Sequence, residues 1–91
     1  MLSTPEYTLC ENISLTEVDD ELVLLDLNNG AYYGLNHIGA DLLRALQNKQ
    51  PLSLTIRQIS ERYQMDSAQV QIDIDELLAQ LMKNHLLLKT A

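Results

Sequence analysis

The sequence predicts an α+β domain, an N-terminal three-stranded antiparallel sheet followed by three helices. Two observations carry this. Residues 13 to 35 alternate or run apolar in short stretches split by turn signals, as in "ELVLLDLNNGAYYGLN". From residue 37 onward the apolar residues return every three or four positions instead.

In chain order, the first six residues are expected to be a frayed terminus. Residues 7 to 18 carry a weak strand signal, with Ile13, Leu15 and Glu17 of "NISLTEV" on one face. "EVDDE" reads as an exposed turn. "ELVLLDL", residues 21 to 27, is the second strand, and "AYYGLN" returns as the third. The "NNG" between them suits a three-residue loop with Gly30 left-handed. That register pairs Leu27 with Ala31, Leu25 with Tyr33 and Val23 with Leu35, all on the core side. Leu22, Leu24, Asp26, Tyr32 and Gly34 then lie on the other face. A two-residue Asn29-Gly30 turn is the competing register and would bring an aspartate to the core side. We prefer the first, because a slipped register exposes a whole apolar set.

Asn36 is a good N-cap for a first helix, "HIGADLLRALQNK", in which Ile38, Leu42, Leu43 and Leu46 share a face. Asp41 near its start and Lys49 near its end suit the helix dipole, and Pro51 helps to stop it. "SLTIRQISERYQ" is a shorter second helix, capped by Ser53 or Thr55, with Ile56, Ile59 and Tyr63 inward. Asp66 or Ser67 caps a third helix over residues 67 to 84, with a stripe of Val70, Ile74, Leu77, Leu78 and Leu81. "HLLLK" is a last turn or a short strand. A short helix, a brief turn and a longer helix beside strands make the order winged helix-turn-helix-like.

Composition narrows the function. Ninety-one residues with 46% hydrophobic content make one domain, residues 1–91, with its core over about residues 7–89. The net charge of −7 opposes phosphate backbones and anionic membranes. No basic patch is visible, so neither nucleic acid nor membrane is an expected partner. The third helix would be the DNA-recognition helix, yet it holds Asp73, Asp75 and Glu76 against one lysine, Lys83. No apolar run approaches about 18 residues, and a cytoplasmic location is expected.

Little here points to catalysis. Cys10 is the single cysteine, reads as an incidental small residue and has no basic neighbour in sequence. His37 and His85 stand at opposite ends of the helical region, and no metal-ligand spacing occurs. No catalytic residue, metal or cofactor is expected. "DIDE", residues 73 to 76, lacks an EF-hand pattern, and Asp75 and Glu76 read as a solvated helix face. Asp73 flanks the apolar stripe, where a charge can face a groove. Tyr33 reads as a core residue, while Tyr32 either lines a binding surface or covers the sheet.

"LVLLDLNNGAYYGLN-x-x-GA-x-LL", followed by "ISERYQMD" and "DIDELLAQLMKNHLLL", resembles the PqqD-like family of RiPP precursor-peptide recognition elements. The match spans about residues 12 to 89. Within that family the chain is most similar to the stand-alone recognition proteins of lasso-peptide clusters. The proline-glutamate-glycine motif usual near the hairpin of the PQQ-pathway member is absent, and "LNNG" stands there instead. The resemblance implies a three-stranded sheet on three helices, without catalysis. It implies that the leader of a precursor peptide adds as a strand to the edge at Ala31, Tyr32, Tyr33, Gly34 and Leu35. Asp73, Ile74 and Leu77 of the third helix would line the same groove. Asp73 would meet a basic or hydroxyl group, or orient a backbone amide. Lasso leaders present a tyrosine, a proline and a leucine at fixed short spacing, which suits shallow apolar pockets. The implied partners are that leader, a separate cysteine leader protease and the macrocyclase. A radical-SAM enzyme takes the place of these two enzymes in the PQQ-type alternative.

Overall fold

In the computed structural model, which describes residues 7–89, the order is β1 (Tyr7–Leu9), β2 (Ile13–Val18), β3 (Glu21–Asp26), β4 (Tyr32–Gly34), α1 (His37–Gln47), α2 (Leu52–Tyr63), α3 (Ser67–Lys83) and β5 (Leu87–Lys89). The class is mixed α+β, as expected. The expected frayed terminus lies outside the described residues. β2, β3 and β4 form an antiparallel sheet in that order, and β1 pairs with β5 in a separate two-stranded sheet. The signal over residues 7 to 18 thus divides into two strands. "HLLLK" resolves as a strand whose partner comes from the other end of the chain.

The β2–β3 turn has two residues, Asp19 and Asp20, both with positive φ, the geometry that matches strand twist. The β3–β4 hairpin departs from both expected registers. Val23 pairs with Gly34, Leu24 with Tyr33 and Leu25 with Tyr32. The loop is one residue longer than expected, because Asp26 organises it. Asp26 N–H donates to Ala31 C=O and Gly30 N–H donates to Asp26 C=O, each at 2.8 Å. The Asp26 carboxylate accepts from Asn28 N–H at 2.9 Å and from Asn12 Nδ2 at 3.0 Å. Asn29 Oδ1 accepts from Ala31 N–H, and Gly30 takes φ 76°. These local side-chain bonds hold the loop open over residues 27 to 30.

The slip turns β3 over. Leu24 is fully buried and faces Leu15 and Tyr33, whereas Leu27 is 63% exposed. The expected core set of Val23, Leu25 and Leu27 therefore lies on the outer face, although Val23 is buried there. Apolar residues occupy both parities of "LVLLDL", so burial alone did not choose between them.

The helices cover the inner face. Asn36 caps α1, its Oδ1 accepting from Gly39 N–H at 2.8 Å. Asp66 caps α3, accepting from Ala68 N–H. α2 has no side-chain cap: Pro51 takes the N-cap place, and Ser53 and Thr55 fall inside the helix. Thr55 points inward, fully buried, with Oγ1 bonded to Pro51 C=O and Gln50 Nε2. α1 and α3 close with left-handed residues, Lys49 and His85, whose N–H groups reach back to Leu46 and Met82. Leu86 N–H then reaches Leu81 C=O, which turns Leu86 and Leu87 into the core. Ile13, Leu24, Leu42, Leu43, Ile59, Val70, Ile74, Leu78, Leu81, Leu86 and Leu87 form one buried cluster.

Asp41 serves as an inter-helix anchor. It accepts from Tyr63 Oη at 2.8 Å and pairs with Arg62 at 2.9 Å, tying α1 to α2. The hydrogen bond to Asp41, then burial, pushes the Tyr63 phenol above the usual tyrosine range.

Two outcomes follow. Leu24→Ala should cost about 2–5 kcal/mol in denaturant unfolding, while Leu27→Ala should stay within about 0.5 kcal/mol; equal effects would contradict the register. The Asn28 N–H, with help from Asn12, holds the Asp26 carboxyl below its ordinary range, against a partial desolvation that raises it. A depressed carboxyl contributes stability above its unfolded pKa of about 4 and loses it as pH falls through the folded value. In an NMR titration, the Asn28 amide should therefore shift with the Asp26 carboxyl, at a midpoint below that of an unfolded aspartate.

Candidate functional site

β4 pairs with β3 on one side, and its other edge has no strand partner among the described residues. Leu35 N–H donates to Leu22 C=O at 3.1 Å, and Asp26 N–H to Ala31 C=O. Antiparallel ladders alternate, so Leu24 and Tyr33 exchange the bonds between these two. The N–H and C=O of Tyr32 and Gly34 consequently point away from β3, along the open edge. An edge of this kind can accept an added strand through main-chain bonds.

Side chains differ in their placement. Tyr32 is 71% exposed, opposite Leu25 on the outer face. Tyr33 is on the inner side as expected, yet is 39% exposed, because β4 is the rim of the sheet. Gly34 lies open, and a Cβ built there would meet nothing within 4 Å. Ala31 and Leu35 are half-buried, and Leu35 packs on the core.

Beside the end of β4 is a cleft of about 210 Å³, lined by Gly34, Leu35, Asn36, Ile38, Gly39, Asp73 and Leu77. It joins the strand end, the first turn of α1 and the middle of α3. Of the residues singled out in sequence, Gly34, Leu35, Asp73 and Leu77 meet here. Ala31, Tyr32 and Tyr33 continue along the edge. Ile74 does not reach the surface: it is fully buried in the core, one position round the helix from Asp73. The cleft also contains Asn36, Ile38 and Gly39, for which the sequence alone suggests no role beyond the cap and apolar face of α1. Gly39 was the available signal, as a glycine inside an otherwise regular helix. A Cβ there would come within 3.3 Å of Asn36 Oδ1 and 3.4 Å of Leu35 Cδ2, so a bare position lets the strand end pack on α1.

The floor of the cleft is apolar, from Leu35, Ile38 and Leu77. Its charge comes from Asp73, which is half-buried and accepts from Gln69 Nε2 at 2.9 Å. Asn36 Oδ1 is engaged by the α1 cap.

Other chemistry-bearing residues lie apart. His37 and His85 are exposed, and Cys10 is half-buried with its N–H on Leu86 C=O. Among the described residues no three His, Cys, Asp or Glu side chains gather as a metal site, and no helix is long and apolar enough to cross a membrane.

Two solved structures share this architecture. The chain is similar to TbiB1 in complex with the TbiA(beta) leader peptide, at 27% identity and TM-score 0.80, covering 92% of this chain and 98% of that one. It is similar also to lasso peptide synthetase B1 complexed with the leader peptide, at 26% identity and TM-score 0.84, covering 91% and 98%. No curated protein sequence matches the chain. The family model described as coenzyme PQQ synthesis protein D (PqqD) matches residues 21–87, from the start of β3 into β5, and the chain therefore belongs to the PqqD family.

Proposed function

We propose that this chain is a non-catalytic protein that binds the leader of a ribosomally made precursor peptide by strand addition to β4. The observation that carries the reading is the open edge at Tyr32 and Gly34, ending in a cleft built jointly by β4, α1 and α3. The edge would supply sequence-tolerant backbone bonds, and the cleft a side-chain pocket. Ala31, Tyr32, Tyr33, Gly34, Leu35, Asp73 and Leu77 form the proposed surface, with Ile74 supporting it from beneath. Both similar structures are leader-peptide complexes, which supports this reading.

Holding the precursor would raise its local concentration for a separate cysteine leader protease and then for the macrocyclase. Tethering alone can bring effective concentrations to about the millimolar range. We read the setting as cytoplasmic and the α2–α3 pair beside the sheet as winged helix-turn-helix-like, put to peptide rather than DNA binding. Asp75 and Glu76 on the exposed side of α3 oppose a phosphate backbone. The family description favours one second reading, delivery of a precursor to a radical-SAM enzyme in the PQQ manner.

The test is a fluorescence-anisotropy titration of three labelled peptides: the TbiA(beta) leader, a leader with the tyrosine–proline–leucine pattern and a PQQ-pathway precursor. Saturable binding at about micromolar Kd or tighter is expected for one of the first two. Gly34→Pro should weaken it at least about tenfold, because it deletes an outward N–H that β3 does not use. Preference for the PQQ precursor would move the assignment to the second reading. Failure of all three with a folded protein, or unchanged binding by Gly34→Pro, would overturn strand addition at β4.

A further inference from the structure

Asp73 differs from the other acidic side chains in what surrounds it. Among the described acidic residues, Asp26, Asp41 and Asp73 are the ones not exposed. Asp26 accepts from Asn28 and Asn12. Asp41 holds Arg62 and the Tyr63 hydroxyl. Asp73 has a single neutral donor, the Gln69 amide, on Oδ1. Among the described residues the ion pairs are Arg44–Glu17 and Arg62–Asp41, so no cation of the fold neutralises Asp73.

Water can satisfy that carboxylate while the cleft is open. A peptide seated on the β4 edge would displace water from a pocket whose floor is Leu35, Ile38 and Leu77. A carboxylate stripped of water without a replacement donor is costly, and a cationic donor is the strongest replacement. The neighbouring part of α3 offers no competing positive charge: Gln69, Glu76 and Gln80 are exposed there. Long aliphatic side chains with a charged tip suit a pocket with apolar walls and a charged rim.

We propose that the cleft is a specificity pocket for a lysine or arginine of the bound peptide, with the stem on Leu35, Ile38 and Leu77 and the charged tip on Asp73. This rests on the leader-binding reading above and commits to a cation over a hydroxyl or a backbone amide as the partner of Asp73. Asp73 is then a specificity-determining residue, and the preferred leader carries a basic residue where its strand passes Gly34.

A lysine scan of the TbiA(beta) leader peptide, read by anisotropy against the full chain, tests this. One position is expected at which lysine or arginine binds about tenfold more tightly than norleucine, which has the same stem without the charge. Tyrosine and glutamine at that position should resemble norleucine. Asp73→Asn should close the gap between the two peptides, weakening the lysine peptide and tightening the norleucine peptide, which no longer strips a carboxylate of water. Asp73→Lys should instead favour glutamate at that position, which a merely structural role for Asp73 would not produce. A scan in which no position separates lysine from norleucine overturns the proposal. So does a tyrosine peptide that matches lysine, or a lysine preference that survives Asp73→Asn. If the TbiA(beta) leader and its scan peptides do not bind, the same scan is run on the leader with the tyrosine–proline–leucine pattern. If neither parent nor any scan peptide of either binds, the leader-binding reading fails and this pocket assignment fails with it.

Discussion

The carboxylate of Asp26 sets the phase of the central hairpin. It gathers Asn12 from the turn between β1 and β2 and Asn28 from the loop, and so keeps four residues in the turn. With that phase, Leu24 stacks between Leu15 and Tyr33 over the helices. Any other phase would bring a different set of β3 side chains under α1 and α3. Because side chains alternate, a one-residue slip exchanges the two faces of the strand, so one polar contact at the tip bears on which side chains meet the helices, even though Val23 stays buried on the outer face.

From the hairpin, order passes to the helices through a single junction. β4 is three residues long and gives way almost at once to Asn36 and α1. The Asn36 cap and the bare Gly39 let Leu35 lie against the helix start. The edge is thus short, held at one end by the loop bonds of Asn29 and at the other by the cap. A short, well-anchored edge beside a cleft differs from a long, flat one, which would pair with any strand. In the proposed role, backbone groups give reach and the cleft gives selectivity, and the two come from different layers of the fold.

Much of this was legible in the sequence. The helices announced themselves through spacing and through Asn36 and Asp66, because a helix is defined by local bonds. Asp73 is legible as a charge at the edge of an apolar stripe, while Leu77, itself a stripe residue, and Gly34 enter the site through the resemblance. The β3 register was not legible, since Leu22 and Leu24 compete on equal terms with Val23 and Leu25 until Asp26 decides. Thr55 looked like a cap and is a buried bridge, because Pro51 already opens α2. Asp41 looked like a dipole partner and is a tertiary anchor for Tyr63, 22 residues away. The resemblance puts Ile74 in the groove beside Asp73, whereas one helical step of about 100° separates that rim position from the core, where Ile74 is buried. The β1–β5 pair was hidden for a simpler reason: neither strand carries a sign of its partner.

That last pair has a topological consequence. Tyr7 lies opposite Lys89, so residues far apart in sequence lie side by side in one small sheet. The fold is nearly a closed ring of elements, with its seam between β1 and β5. A linker of a few residues from Lys89 to Tyr7 would close that ring, and the chain could be opened instead at Asp19–Asp20, where the turn is exposed. Such a circular permutant would keep each strand pairing and each helix, and it would leave β4 continuous with α1.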